Sequence, residues 1–350
     1  MSILFAIILF SLLIFVHELG HFVTAKLSGV RVNEFSMFMG PAIAKWQWGE
    51  TQYSIRCIPI GGYCAMEGED KDTEDPHSFQ KAAWWKRLCI LLAGSFMNFV
   101  AGVLIVAVVL FFQPAYATTE VVEVESWSTV TGLQVGDEVL EFDGEKIRVY
   151  NDFTLATALL PDGEYDMVVF RDGEKVTLEK VPMIRHAVQD EAGNVSMLYG
   201  LGFRVEETTP DSVPGRILPT AMNYVRSVIV GLETLVSGQA KLSDIGGPVQ
   251  IVAIMSDVAE ESETPGFAAL NMLNIGGLIA INLAVMNLLP IPALDGGRAV
   301  GLLLTTAIEA VTKKKIDPKF EGYVHSVGMV LLLALMALIA FKDIFMIMKG

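Results

Sequence analysis

The sequence predicts a polytopic α-helical membrane protein with about four transmembrane helices, a membrane-associated β-hairpin or sheet, and one inserted β-rich domain. Of its 350 residues, 52% are hydrophobic and only 19% are charged, and the mean hydropathy is +0.48, values typical of membrane proteins. Several apolar stretches reach about 20 residues, the length that crosses a bilayer. Residues 115–213 instead carry 20 acidic against 7 basic side chains, which indicates a water-exposed domain between membrane segments.

The apolar stretches are predicted to be four membrane-spanning helices. A signal peptide is the alternative for the first, but this stretch lacks both a basic start and a small-residue cleavage site. The predicted spans cover approximately Ser2–Val23, Leu88–Gln113, Phe267–Leu289 and His325–Phe345.

Basic residues beside the spans predict their orientation, because cytoplasmic loops carry an excess of Lys and Arg. Lys81, Lys86 and Arg87 precede the second span, and the three lysines at 313–315 separate the third span from the fourth. Both flanks are therefore expected in the cytoplasm. This orientation places both chain ends and residues 115–213 outside.

Residues 30–64 alternate in polarity and predict two or more short strands joined near residues 48–50. One interpretation is a β-hairpin that dips toward the ionisable residues of the first span, since non-helical backbone is tolerated at membrane depth where protein or a cavity surrounds it. The other interpretation is a small cytoplasmic sheet.

The inserted stretch and its C-terminal flank have different patterns. Residues 115–213 contain strand-like runs separated by Asp-Gly turns, whereas residues 217–236 predict an amphipathic interfacial helix, with a fifth span as the alternative. The expected domain map is a first membrane part (1–114), the extracytoplasmic domain (115–213), interfacial helices (214–265) and a second membrane part (266–350).

The first span contains His17, Glu18 and His21. Ionisable groups at membrane depth are costly and mark functional sites. On a helix His17 and His21 share a face one turn apart, which suits two nitrogen ligands of one Zn²⁺ with Glu18 as the general base. A chance pattern in a buried helix is the alternative, and the apolar setting disfavours it.

A catalytic zinc site has three protein ligands and an open position for water. Asp295 is the best third candidate because it directly follows the third span, where Pro290 and Pro292 end the helix. Alone, this segment is typical of an ordinary helix-ending loop. Combined with the two histidines, it predicts one Zn²⁺ per chain bound by His17, His21 and Asp295.

These motifs resemble those of the site-2 protease family of intramembrane zinc metalloproteases, and within it the bacterial type that cleaves anti-sigma factors. The resemblance covers nearly all of the chain, although Ser95 stands where a proline is usual and Gly246 where a serine is common. The matching segments are HELGH at 17–21, NLLPIPALDGG at 287–297, and shorter stretches at 35–41, 61–63, 93–99 and 246–248.

The inserted domain resembles a PDZ domain. The stretch GLQVGDEVLEFDG at 132–144 carries the likeness, and residues 115–213 have room for one copy. We expect this PDZ-like domain to gate access by admitting substrates whose outer portion has been shortened. Binding of a peptide end as an added strand is the alternative.

The resemblance implies hydrolysis of peptide bonds in or near transmembrane helices of single-span proteins, such as anti-sigma factors or signal-peptide remnants. It implies a location in the bacterial cytoplasmic membrane, with the active site toward the cytoplasm. It also implies substrate contacts from Asn282, Asn287, Gly61 and Gly62. For the two asparagines, hydrogen bonding between helices is the alternative.

Two other function classes compete with this interpretation. A catalytically silent scaffold or sensor would use the PDZ-like domain, but the intact Glu18 and Asp295 count against it. A metal transporter would need ionisable residues in several spans, and the second and fourth have almost none. No basic patch indicates nucleic-acid binding, and His325 is expected at a helix interface rather than as a ligand.

Overall fold

The computed structural model describes residues 2–69, 73–130, 132–158, 160–189, 195–238, 247–262, 264–313 and 318–349. The chain forms two compact units. The membrane unit combines residues 1–105 with residues 228–350, and the inserted unit contains residues 106–227.

The membrane unit begins with a helix and a long hairpin. Its first elements are α1 (Ser2–Ser28), β1 (Val32–Trp48), β2 (Thr51–Met66), a 3₁₀ turn (Phe79–Lys81) and the start of α2 (Trp84–Phe112). The predicted strands are present, but the two strands are long rather than short. Pairing continues past Gly40 and Gly61 through irregular registers, and both glycines adopt the left-handed φ that such distortions favour.

The inserted unit contains an antiparallel sheet and a separate pair of short strands. Its elements are β3 (Ala115–Val124), β4 (Glu138–Phe142), β5 (Glu145–Lys146), α3 (Tyr150–Ala158), β6 (Gly163–Arg171), β7 (Glu174–Met183), β8 (His186–Gln189), β9 (Val195–Leu198), β10 (Leu201–Glu207) and α4 (Pro214–Val236). The last turns of α4 belong to the membrane unit. The strand order of the larger sheet is β10-β3-β4-β6-β7, with β5 paired to β4, and β8 pairs with β9. Side chains at alternate positions of the larger sheet, such as Val139, Met167 and Val169, fill its core.

Two Asp-Gly pairs form the turns predicted for the insert. Asp143 and Gly144 have φ values of 48° and 79°, and Asp172 and Gly173 have 51° and 87°. Positive φ at both central residues is the geometry of type I′ turns, whose twist matches that of antiparallel strands. These turns fix the register of β4 with β5 and of β6 with β7.

The C-terminal part of the membrane unit is helical, with α5 (Pro248–Glu261), α6 (Pro265–Asn287), α7 (Asp295–Thr312) and α8 (Pro318–Lys349). The stretch between the third and fourth predicted spans is therefore helical over most of its length, because α7 occupies residues 295–312. Gly296, Ala299 and Leu302 form the buried face of α7. The nearby prolines and glycines obscure this helical spacing in the sequence.

The four predicted spans are confirmed as helices. In the described part of the chain, four helical segments are long and apolar enough to cross a membrane: Leu4–Ser28, Trp84–Phe112, Pro265–Asn287 and His325–Asp343. The chain is therefore a multi-pass membrane protein. The helix α4 is absent from this set, and its Asn223 donates a 2.9 Å hydrogen bond to the buried Asp152 of α3.

Candidate metal centre

Two imidazoles from one helix face form the first half of the site. His17 and His21 lie one turn apart on α1, and their Nε2 atoms are 3.2 Å apart. His21 is buried and His17 is half-buried. The apolar sequence around them favours a continuous helix, so the spacing of four residues directs both rings to the same side.

The third group, Asp295, is placed by a tight reversal between α6 and α7. Ala293 has a φ of 91°, which is strained for a residue with a Cβ. A Cβ on Gly296 would lie 2.3 Å from the carbonyl oxygen of Leu288, and one on Gly297 would lie 2.2 Å from that of Ile291. Only glycine therefore allows the first turn of α7 to pack on this loop with Asp295 as its first residue.

The three side chains converge. Asp295 Oδ2 is 3.0 Å from His17 Nε2 and 3.2 Å from His21 Nε2. Burial acts to raise the pKa of Asp295, but hydrogen bonding to the two imidazoles outweighs it and lowers that pKa below its usual range. The carboxylate is therefore ionised at neutral pH.

This donor set fits Zn²⁺. Tetrahedral zinc with bonds of about 2.0–2.2 Å has ligand atoms about 3.3–3.6 Å apart, close to the observed separations of 3.0–3.2 Å. Among the described residues, His17, His21 and Asp295 form the group of His, Cys, Asp or Glu side chains whose geometry could hold a metal. Two nitrogens and one carboxylate also match the ligand chemistry of catalytic zinc sites.

Glu18 lies in the same cavity as the three converging groups. The cavity has a volume of about 700 Å³, and its lining includes Tyr63, Cys64, Ala65 and Met66 of β2. Burial raises the pKa of the Cys64 thiol, and Cys64 lies outside the group of described side chains whose geometry could hold a metal. The cavity therefore brings a carboxylate base and a stretch of strand next to the candidate metal ligands.

The predicted substrate-contact residues are placed differently from one another. Gly62 is near Glu18, since a Cβ on it would lie 3.6 Å from Glu18 Cγ, whereas a Cβ on Gly61 would instead meet Met39. Asn282 is exposed on α6 and Asn287 is half-buried at its end. Neither asparagine is among the residues that line the cavity. Their role in substrate contact stays a prediction.

Two charged residues of the cavity were missed in the sequence. Arg298 of α7 pairs with Glu69, which follows β2, and both line the cavity. Arg298 lies three residues after Asp295, a spacing that places side chains on one helix face. The prolines and glycines that precede Arg298 hide this helical spacing in the sequence. His325, expected at an interface, also lines the cavity but lies outside the metal-ligand group.

Arg56 of β2 connects the two strands of the hairpin through hydrogen bonds. Its guanidinium donates to Glu34 at 2.8 Å, to the carbonyl of Gly40 at 2.7 Å and to the Tyr63 hydroxyl at 2.5 Å. Burial acts to raise the pKa of Glu34, but the hydrogen bonds from Arg56 and Ser54 lower it to about 2. This network joins β1 and β2 at the end of the hairpin that faces the cavity.

Strand pairing leaves one edge of the hairpin available beside the cavity. Residues 34–37 of β1 pair with residues 52–55 on one side and with residues 62–65 on the other. The first residues of the stretch 35–41 therefore have no free edge. Among the described residues, 62–65 pair only with β1, so their other side forms an edge.

The chain is similar to known proteins along nearly its whole length. A family model described as Peptidase family M50 matches residues 5–335. A Clostridium perfringens protein named as a zinc metalloprotease is 34% identical over 351 residues, which cover 98% of each chain. Zinc metalloprotease RasP of Geobacillus kaustophilus is 26% identical, with 98% of this chain and 97% of that protein covered. The regulator of sigma-W protease RasP of Bacillus subtilis is 26% identical, with 97% of each covered.

Proposed function

Since the chain belongs to peptidase family M50 and is a zinc metalloprotease, we propose that it cleaves peptide bonds in or near transmembrane helices of single-span membrane proteins. The observation that supports this proposal is the convergence of His17, His21 and Asp295 beside Glu18 in one cavity of the membrane unit. Anti-sigma factors and signal-peptide remnants are the substrates we propose, and the name of the Bacillus subtilis relative links that protein to sigma-W regulation.

The residues of the cavity have separate roles in this reaction. We assign His17, His21 and Asp295 as the ligands of the Zn²⁺ cofactor. When bound, Zn²⁺ supplies a Lewis acid for the scissile carbonyl and lowers the pKa of its bound water to about 7. Glu18 accepts the proton of the attacking water and then donates it to the leaving amine.

A substrate helix must be extended before it is cleaved, because its backbone hydrogen bonds enclose the scissile peptide. The edge formed by residues 62–65 lies on the cavity and can pair with an extended segment by β-augmentation. The Arg56 network keeps this edge in place. The hairpin therefore supplies substrate positioning, and α1 with α7 supplies the chemistry.

The inserted unit contains a groove of about 490 Å³ between α3 and β10. Phe153 and Thr157 line it from α3, and Leu201 and Phe203 line it from β10, a strand that pairs with β3 at the edge of the described sheet. An edge strand beside a helix is the arrangement by which PDZ domains add a ligand strand. We propose that this PDZ-like unit binds a peptide, and gating is the competing role.

Deletion of residues 120–205, replaced by a short Gly/Ser linker, separates the two roles. Peptide recruitment predicts weaker cleavage of a pre-shortened substrate by a deletion variant that retains zinc. Gating instead predicts cleavage of a full-length substrate that the intact protein spares.

The basic flanks of the spans support an orientation with the inserted unit outside and the active site toward the cytoplasm. Asp162→Cys and Lys313→Cys, each in a variant without Cys57, Cys64 and Cys89, test this topology. An impermeant thiol reagent added to intact cells is expected to label position 162 and spare position 313. The reverse pattern would overturn the orientation.

Co-expression with candidate single-span substrates tests the proposed activity. Glu18→Gln removes the base but keeps the side-chain shape, so we expect cleavage to fall by at least about 100-fold while zinc content is unchanged. The exposed Glu50 at the hairpin turn offers a matched control, and Glu50→Gln is expected to cleave normally. Equal cleavage by Glu18→Gln would contradict the role of Glu18 as the base, and equal cleavage in cells that lack this protein would favour the catalytically silent scaffold instead.

A further inference from the structure

We propose that Asn98 is a positioning residue that fixes the tautomer of His17 for zinc binding. The inference rests on the proposed metal centre and extends it to α2, a helix that contributes none of the three ligands. It assigns a function to a side chain that is 1% exposed within an apolar membrane helix, where an unpaired carboxamide is costly.

Residues 90, 94 and 98 form one stripe of α2, since residues four apart lie on the same helix face. The carbonyl oxygen of Ile90 is 2.8 Å from His21 Nδ1, and Nδ2 of the Asn98 carboxamide is 3.3 Å from His17 Nδ1. Between them, a Cβ on Gly94 would lie 2.4 Å from His21 Nε2 and 2.5 Å from His17 Cε1. Gly94 thus lets both rings approach the stripe. One turn away on either side, Ile90 contacts Nδ1 of His21 and Asn98 contacts Nδ1 of His17.

The direction of the rings determines which tautomer is useful. Both Nε2 atoms face Asp295 Oδ2, so metal binding requires an unprotonated Nε2 and a proton on Nδ1. The carbonyl of Ile90 can only accept a hydrogen bond, and it therefore selects this tautomer for His21. His17 needs an equivalent acceptor on its own Nδ1 side.

Asn98 supplies that acceptor. Its Oδ1 is buried and has no hydrogen-bond partner among the described residues, and the two ends of a carboxamide have the same shape. A half-turn about the Cβ–Cγ bond of Asn98 exchanges Nδ2 for Oδ1 opposite His17 Nδ1. The protonated Nδ1 of His17 then donates to Oδ1, and Nε2 of His17 is left free for the metal. Outer-shell acceptors of this kind orient the ligand ring and strengthen metal binding.

Zinc affinity of the purified full-length protein, measured by competition with a chromogenic chelator, tests this role. Asn98→Leu keeps the approximate shape but removes the acceptor, so affinity is expected to fall about 10–100-fold. Asn98→Asp keeps an acceptor and is expected to stay much closer to wild type. Ser95→Ala is the matched control, because Ser95 is also 1% exposed on α2, and it is expected to bind zinc normally.

The Co²⁺-substituted protein gives a second readout. We expect Asn98→Leu to change its ligand-field spectrum, which would show that the ligand geometry, rather than folding alone, depends on Asn98. Wild-type affinity in Asn98→Leu, or equal losses in Asn98→Leu and Asn98→Asp, would overturn the proposal. Absence of zinc binding in the wild type would instead contradict the proposed function. The two failures are therefore distinguishable.

Discussion

Asp137 of the inserted unit and Asp295 of the membrane unit are both shielded from solvent, but the partners of their carboxylates differ. Asp137 is 1% exposed and its two carboxylate oxygens accept from Arg171 at 2.6 and 2.7 Å. Asp295 instead has Oδ2 opposite the Nε2 atoms of His17 and His21. A permanent cation is built into the first site, whereas the second consists of donors that a metal ion can share.

The comparison separates a structural acid from a proposed functional one. Burial acts to raise the pKa of Asp137, but the hydrogen bonds from Arg171 and from the Gln134 amide lower it below its usual value of 3.8. All strong partners of Asp137 come from its own unit, so its contribution is to stability. Asp295 is supported by a strained loop and two close glycine contacts, a local cost that metal binding would justify.

The largest expected effect belongs to Asp295. Asp295→Asn keeps the shape but removes the anionic ligand, so zinc affinity is expected to fall by at least about 100-fold, and proteolysis with it. Asp137→Asn is the matched change in the other unit and is expected to leave zinc content intact. Chelator competition on both variants measures the contrast, and similar zinc binding by the two would remove the distinction.

The second largest expected effect concerns the stability of the inserted unit rather than zinc binding. Asp137→Asn deletes the charge that pairs with Arg171, and we expect the opening free energy of β4 and β6 to fall by about 1–3 kcal/mol. Hydrogen exchange with mass spectrometry reports this change in peptides covering those strands. Asp172→Asn is the control, because Asp172 is an exposed turn residue whose left-handed φ of 51° asparagine tolerates. Equal protection in all three proteins would refute the structural role of Asp137.

The smallest expected effect is a pH dependence of the same pair. The pKa of Asp137 is lower in the folded unit than its usual 3.8, so its contribution is fully present well above pH 3.8 and is lost as the pH falls through the folded pKa. The stability difference between wild type and Asp137→Asn is therefore expected to be constant from pH 7 to about pH 5 and to shrink below about pH 4. A difference that grows on acidification would contradict the sign of this shift.

The sequence predicts the parts of this protein whose signals are local. Four apolar segments predict the spans, and the spacing of His17, Glu18 and His21 on one helix predicts a zinc half-site. The Asp-Gly pairs at residues 143 and 172 predict tight hairpin turns because their left-handed φ values depend on nearest neighbours only.

What the sequence does not predict depends on contacts between distant segments. The sequence does not reveal helix α7, because Gly296 and Gly297 in its first turn are residues that usually indicate a loop. Their close packing against residues 288–292 is visible only in the folded structure. The proposed role of Asn98 likewise requires knowing that α2 faces the two histidines. The pairing of residues 62–65 with β1 depends on long-range register, which alternation alone leaves open.

The metal content of the purified protein tests the central claim most directly. Wild-type protein, purified without added chelator and analysed by atomic emission with quantitative amino-acid analysis, is expected to contain one zinc ion per chain. A folded His17→Ala/His21→Ala variant is expected to contain essentially none, since two of the three ligands are gone. Undiminished zinc in that variant would contradict the account.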